Sequence, residues 1–324
     1  MKGRAEVLIG SLFSMGLALA PAAASAQAYP TKPIRVVVPY QPGGLDVVVR
    51  VTLPGLQSEL GVPAVIDNRP GAGGTIGANI VAKAAPDGYT VLVSDPGSTV
   101  YAIGLMKQLP YDPAKEFVTV GTLLKTSFLI TAGSAAKYSN LREMVEYAKA
   151  NPGALAIGDS GASSTHHLAL ELLKQRSGLD FRMIHYKGAA AALQDLLGGQ
   201  IPSMISGANS VIELIKSGKI KLIGVTGKTR HASFPDAPTF AEVFPGYEAT
   251  IWTGVWMPTG TPRDIITKFN AALVKTVNSP EVVKRFLELG LEAYSPSQEE
   301  ATRLWQSDLA LWPDLIRKLG LGEN

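Results

Sequence analysis

A chain of 324 residues with 46% hydrophobic and 18% charged side chains has ordinary globular composition, which excludes a disordered or fibrous protein and suits one large or two medium domains. Thirty basic against 27 acidic residues give a formal net charge of +3, and no run of Lys or Arg exceeds two, so the footprint of a nucleic-acid binder is missing. Cysteine is absent, which excludes disulfides, thiolate metal sites and a cysteine-linked lipid anchor, and leaves burial to stabilise the fold.

In chain order, Lys2 and Arg4 precede an apolar run over 7–20, then Pro21 and Ala24-Ser25-Ala26. This pattern predicts a secretory signal peptide, residues 1–26, with Gln27 as the first mature residue and a periplasmic destination. The run is shorter than the roughly 20 residues of a spanning helix.

Strands over 34–38, 64–67 and 90–94 alternate with helices over 47–59 and 76–84, the βαβ rhythm of a parallel sheet. The rhythm resumes with strands over 155–157, 183–185 and 204–206 and helices over 165–177 and 189–197, so the chain reads as two α/β units. No repeat or low-complexity linker separates them. Extended stretches over 127–131 and 248–257 are the candidates for two paired crossovers forming a hinge, which makes the units interleaved: 27–127 plus 250–324 in one lobe, 128–249 in the other. Near the end, Thr261-Pro262 reads as a helix cap with Pro in the first turn, and Ser295-Pro296-Ser297-Gln298 as a capping box. The last helix runs to about 318, with Leu304, Trp305, Leu311, Trp312 and Leu315 as its core-facing stripe.

Four turns follow strand ends, where open α/β sheets place ligands. In the first, Pro39 to Asp46, Gly43 and Gly44 free backbone N–H groups for a ligand, Tyr40 adds a hydroxyl, and Asp46 is expected to cap the next helix because a carboxylate repels an anion. The second, Gly71-Ala72-Gly73-Gly74, misses the dinucleotide fingerprint, since Ile76 stands where its third glycine belongs, and reads as close helix packing. The third, Gly158-Asp159-Ser160-Gly161-Ala162-Ser163-Ser164-Thr165, is the strongest anion site: hydroxyls, first-turn N–H groups and the helix dipole hold a carboxylate without a fixed cation. The fourth offers Tyr186 and Lys187 before another helix, with Ser206-Gly207-Ala208-Asn209-Ser210 across the lobe. Lys187 reads as solvated.

Two competing chemistries are weighed on the same residues. Gly158-Asp159-Ser160-Gly161 resembles the nucleophile segment of trypsin-like proteases, and a serine hydrolase at Ser160 or Ser163 is the enzyme alternative; those enzymes are all-β, and a nucleophile elbow needs Gly at Ala162. His166 and His167 point about 100° apart on a helix and cannot share a metal, although His167 and Glu171 can meet, so the histidines read as structural and neither metal nor cofactor is expected.

From Tyr29 to about Gly320 the chain resembles the solute-binding components of tripartite tricarboxylate transporters, the Bug family. The matching text includes Tyr29-Pro30, Lys32-Pro33-Ile34-Arg35, Pro42-Gly43-Gly44, Asp67 to Gly74, Pro86-Asp87-Gly88-Tyr89-Thr90, Tyr111-Asp112-Pro113, Asn151-Pro152-Gly153, Tyr186-Lys187-Gly188, Asp195 to Gln200 and Gly260-Thr261-Pro262. The resemblance implies an α/β, two-lobed periplasmic-binding-protein fold of type II, closure on a carboxylate held by the first and third loops, and delivery to membrane permease subunits. Presentation to a sensor receptor is the alternative partner reading, and a monomer is expected. In this frame Tyr40, Gly43, Gly44, Ser160, Gly161, Ser163, Ser164 and Thr165 hold one carboxylate, while Asp95, Tyr186, Ser206 and Asn209 shape the distal end. Two departures stand out. Only Leu45 separates Gly44 from Asp46, one residue fewer than the family loop, although the Asp46 to Arg50 spacing is kept; and Ser206 to Asn209 replaces a segment where relatives often show Phe and Asp.

Overall fold

The first strand, β1 (Ile34–Val38), reads Ile-Arg-Val-Val-Val, and its four β-branched side chains are buried on both faces, as a strand inside a parallel sheet requires. In the computed structural model, which describes residues 29–43, 45–161 and 164–322, helix α1 (Leu45–Leu60) carries the chain back to β2 (Ala64–Asn68), and α2 (Thr75–Ala82) carries it to β3 (Thr90–Ser94). The expected signal peptide, Gly44 and Ser163 lie outside the described residues. Strand β1 pairs in parallel with both β2 and β3. Two one-turn helices, α3 (Ala102–Leu105) and α4 (Pro113–Glu116), then lead into β4 (Phe117–Ala132).

Strand β4 joins the two halves of the molecule. Its residues 117–127 run antiparallel to β9 (Thr250–Pro258), which itself pairs with β3; residues 128–132 run antiparallel to β7 (Ser203–Gly207) and β8 (Lys221–Val225). Its pairing with β9 slips register between Thr119 and Gly121 and again between Thr122 and Leu124, irregularities of the kind that bend a strand. After β4 come α5 (Leu141–Ala150), β5 (Ala156–Asp159), α6 (Thr165–Ser177), β6 (Arg182–His185) and α7 (Ala189–Leu197), with β5 parallel to β6 and β7. Helices α8 (Ala208–Lys216) and α9 (Phe240–Val243) flank β8; α10 (Arg263–Val277), α11 (Pro280–Glu288) and α12 (Gln298–Lys318) return to the first half. The strand order is β2-β1-β3-β9-β4-β7-β5-β6, with β8 on β4, so both chain crossings are β4 and β9, as the extended stretches predict.

One hydrophobic core spans this junction. Trp252 and Trp256 of β9 pack ring on ring at 5.5 Å, and Trp305 of α12 meets Trp256 edge-on at 6.1 Å. Asp308 of α12 is drawn into the cluster, accepting from the indole N–H of Trp252 at 2.7 Å and of Trp312 at 3.2 Å.

Four local expectations are corrected. Asp46 lies within the first turn of α1, not at its cap, and pairs with Arg50 one turn on at 2.7 Å. Helix α10 starts at Arg263 after Pro262 without a side-chain cap, because the Thr261 hydroxyl donates instead to the Pro258 carbonyl at 2.8 Å. On α12 the cap is Ser297, which accepts from the Glu300 N–H at 3.2 Å, while the Glu300 carboxylate accepts from the Tyr294 hydroxyl; Leu311, one position off the Trp305–Trp312 line, is 37% exposed.

Candidate functional site

The junctions after β1, β3, β5 and β7 all open at the carboxyl ends of parallel strands, and three helices begin there: α1, α6 and α8. Their first turns meet around a cavity of about 310 Å³ whose opposite wall is β4 and β9. Strand alternation decides which side chains reach it. Leu124, Thr126 and Phe128 of β4 and Ile251 and Thr253 of β9 face the cavity. The intervening Lys125 instead pairs with Glu248 at 2.8 Å.

The loop after β5 is organised by its buried aspartate. Asp159 accepts from the Gly161 N–H at 2.8 Å and meets His185 Nδ1, on the neighbouring strand, at 2.8 Å. Gly161 has φ +131°, and a Cβ there would lie 3.1 Å from the Tyr186 carbonyl, so glycine is required. Ser164 caps α6 by accepting from the His167 N–H at 3.1 Å, and His167 Nε2 lies 3.4 Å from Glu171. Ser160 Oγ is 2.6 Å from His166 Nδ1, and the His166 ring packs on Phe128 at 4.6 Å. Its Nε2 is buried and has no partner among the described residues. Burial pushes the imidazole down to about 4, so it is neutral at physiological pH.

On the other side of the cavity, the Tyr40 hydroxyl donates to Asp95 Oδ1 at 2.6 Å, and the Gly97 N–H donates to the same oxygen at 2.9 Å. Burial holds the Asp95 carboxyl above the usual carboxylate range against the pull of these two donors. Burial and the Asp95 charge raise the Tyr40 phenol in turn. The glycines of the second loop serve packing: a Cβ on Gly74 would sit 3.1 Å from the Tyr40 hydroxyl, and one on Gly77 would sit 2.8 Å from Pro39 Cα.

Of the residues singled out from sequence, Asp95 and Asn209 line the cavity, and Ser160 reaches its wall through His166. Ser164 and Thr165 form the start of α6, immediately before His166. Gly43, with φ +109°, accepts from the Asp46 N–H at the start of α1. Tyr186 is taken up by α7, its hydroxyl donating to Asp195 at 2.8 Å, with the phenol pushed up to about 12 by burial and that carboxylate. Ser206 Oγ is buried without a partner among the described residues. The cavity also takes in Thr126 and Thr253, which no sequence pattern marks, and His166 and Leu45, which read from sequence as a structural histidine and a loop residue. For His166 a signal existed: it is the second residue of a helix entered from a serine-rich loop.

The Ser160–His166 contact suggests a nucleophile and base, but the orienting acid is missing. Asp159 is committed to His185 and Gly161, and nothing among the described residues engages His166 Nε2.

Fold and cavity together define a two-lobed α/β protein of the solute-binding class. A family model described as "Tripartite tricarboxylate transporter family receptor" matches residues 48–321, and the chain belongs to that family. It is 34% identical over 300 residues to Protein BugT of Bordetella pertussis (strain Tohama I), covering 91% of this chain and 92% of the relative. Among solved structures, the periplasmic binding protein BugD is 33% identical with TM-score 0.71, covering 91% of this chain and 100% of that one. A structure described as R. palustris Rpa4515 with adipate is 31% identical with TM-score 0.74, covering 90% and 98% respectively.

Proposed function

We propose that this protein is exported through a cleaved signal peptide, captures a small organic carboxylate in its interlobe cleft as a monomer in the periplasm, and delivers it to membrane subunits of a tripartite transporter. The observation that carries the reading is the convergence of three helix N-termini on one cavity that, among the described residues, no Lys or Arg side chain lines. Free first-turn N–H groups and aligned dipoles favour an anion there without a counter-ion. The adipate-bound relative supports the same ligand chemistry.

In this reading residues 27–127 plus 250–324 form one lobe and 128–249 the other, with β4 and β9 as the hinge. Tyr40, Gly43, Gly44, Ser160, Gly161, Ser163, Ser164 and Thr165 bear on the carboxylate; Asp95, Ser206 and Asn209 bear on the rest of the ligand, and Tyr186 acts by bracing the fourth loop. Four to six hydrogen bonds to charged oxygens, each worth roughly 1.5–3 kcal/mol net, outweigh the ordering of ligand and lobes and give a micromolar or tighter constant. A thermal-shift screen of carboxylates, sugars and amines tests this. Stabilisation by at least one carboxylate is expected; stabilisation by sugars or amines alone would refute the anion site.

A further inference from the structure

The cavity is asymmetric in a way that bears on which carboxylate it takes. Leu45, Val48, Leu124, Phe128, Ile251 and Leu291 give it apolar walls. Among the described residues its only ionisable lining groups are Asp95 and His166. A second ligand carboxylate, once closed in this space, needs a cation or several donors of its own, because a buried unpaired charge is costly. Among the described residues the lining offers the neutral donors Thr126, Thr253, Asn209 and Ser210 but no cation, and it sets against a second carboxylate the Asp95 carboxyl, whose own hydrogen bonds come from Tyr40 and Gly97. His166 does not supply the cation, since burial keeps its ring neutral.

The imidazole can supply a directed hydrogen bond in one of its two neutral tautomers. Where the Ser160 hydroxyl donates to Nδ1, the ring proton is on Nε2, which is buried and unpartnered among the described residues. A buried donor left unsatisfied is unfavourable, so a ligand acceptor at this position is rewarded.

Resting on the carboxylate reading above, we infer that the cleft selects a monocarboxylate with an apolar, ring-sized body carrying one neutral oxygen substituent, which accepts from His166 Nε2, and that Asp95 discriminates against a second carboxylate. Asp95→Asn keeps the shape and the acceptor for Tyr40 and Gly97 while removing the charge, so it relaxes that discrimination. His166→Phe keeps a planar ring against Phe128 and removes the donor, so it weakens binding of the hydroxylated acid more than that of its unsubstituted parent.

Calorimetric titration of the purified protein with 4-hydroxybenzoate, benzoate, cyclohexanecarboxylate, adipate, malate and citrate tests this. The wild type is expected to bind 4-hydroxybenzoate at least about tenfold more tightly than any of the three polycarboxylates, a difference of about 1.4 kcal/mol. Asp95→Asn should narrow that gap by about tenfold, and His166→Phe should bring 4-hydroxybenzoate to within about threefold of benzoate. Polycarboxylates bound as tightly as the ring acids by the wild type overturn the inference while leaving the carboxylate reading intact, whereas binding of none of the six overturns both. The wild-type panel decides the main point even where a variant fails to fold.

Discussion

At the scale of single residues, Asp308 shows what a helix pattern conceals. An aspartate in α12 reads as solvent-facing, yet Asp308 lies on the Trp305–Trp312 line and receives two indole N–H groups, one from β9 more than fifty positions earlier in sequence. Burial pushes its carboxyl up to about 6, above the ordinary value near 3.9. The folded protein therefore binds this proton more tightly than the unfolded chain, so Asp308 favours folding at low pH and that contribution is lost as pH rises from about 4 to 6, at most about 2–3 kcal/mol. Asp308→Asn cannot titrate and offers one acceptor oxygen to two donors. Urea unfolding from pH 4 to 8 should show the variant losing about 1 kcal/mol at pH 4.5 from the weakened indole bond, with that deficit shrinking or reversing above pH 6. A deficit independent of pH would show that the carboxyl is not strained by burial. His166 was hidden by a different cause. Its sequence neighbours place it correctly on a helix, but its partners, Phe128 and Ser160, come from a crossing strand and a loop, and only the fold brings them to one ring.

At the scale of elements, periodicity found the helices that bury one face and the short β-branched strands, because those patterns are local. Helix α12 ends at Lys318 as its stripe predicts. Strand β4 was read only over 127–131 although it runs over 16 residues, since its first part is specified by pairing with β9, more than a hundred residues downstream. Helix α9 spans one turn, too short for a periodic signal, and its capping box of Thr239 and Glu242 is what marks it. The partner strand β9 contains the tightest glycine of the β4–β9 pair: a Cβ on Gly254 would lie 2.4 Å from the Trp256 ring and 2.6 Å from the Trp252 ring. Both rings are buried and neither can withdraw. Gly254→Val is therefore expected to cost about 1–3 kcal/mol by overpacking, seen as a lower melting temperature together with altered near-ultraviolet circular dichroism from the displaced tryptophans. An unchanged tryptophan signal with full stability would mean that the β9 ribbon is looser than its packing indicates.

At the scale of the whole molecule, composition and the βαβ rhythm reveal two α/β halves, but the cavity between them depends on long-range geometry: Leu45, Phe128, Asn209 and Leu291 meet across most of the chain length. The Trp-rich core packs behind β4 and β9, and the cavity opens between the starts of α1, α6 and α8. If a carboxylate satisfies helix N-termini from both sides at once, the liganded protein gains contacts only when the halves approach, so binding and closure are one equilibrium. The absence of cysteine from the sequence permits clean labelling at two introduced sites. Val65 on β2 and Leu197 at the end of α7 are 56% and 46% exposed and belong to opposite halves. Spin labels on a Val65→Cys, Leu197→Cys variant should report a shorter and narrower distance distribution in saturating carboxylate than without it, and a distribution unmoved by a ligand that binds would mean that this protein captures its solute without closing. The same geometry bears on salt. If, as proposed, dipoles and hydrogen bonds inside the cavity replace an exposed cation, raising ionic strength, which shortens the Debye length from about 10 Å at 0.1 M to about 3 Å at 1 M, should weaken the affinity by no more than about threefold across that range; a steeper loss would point to a surface lysine or arginine as the true anchor.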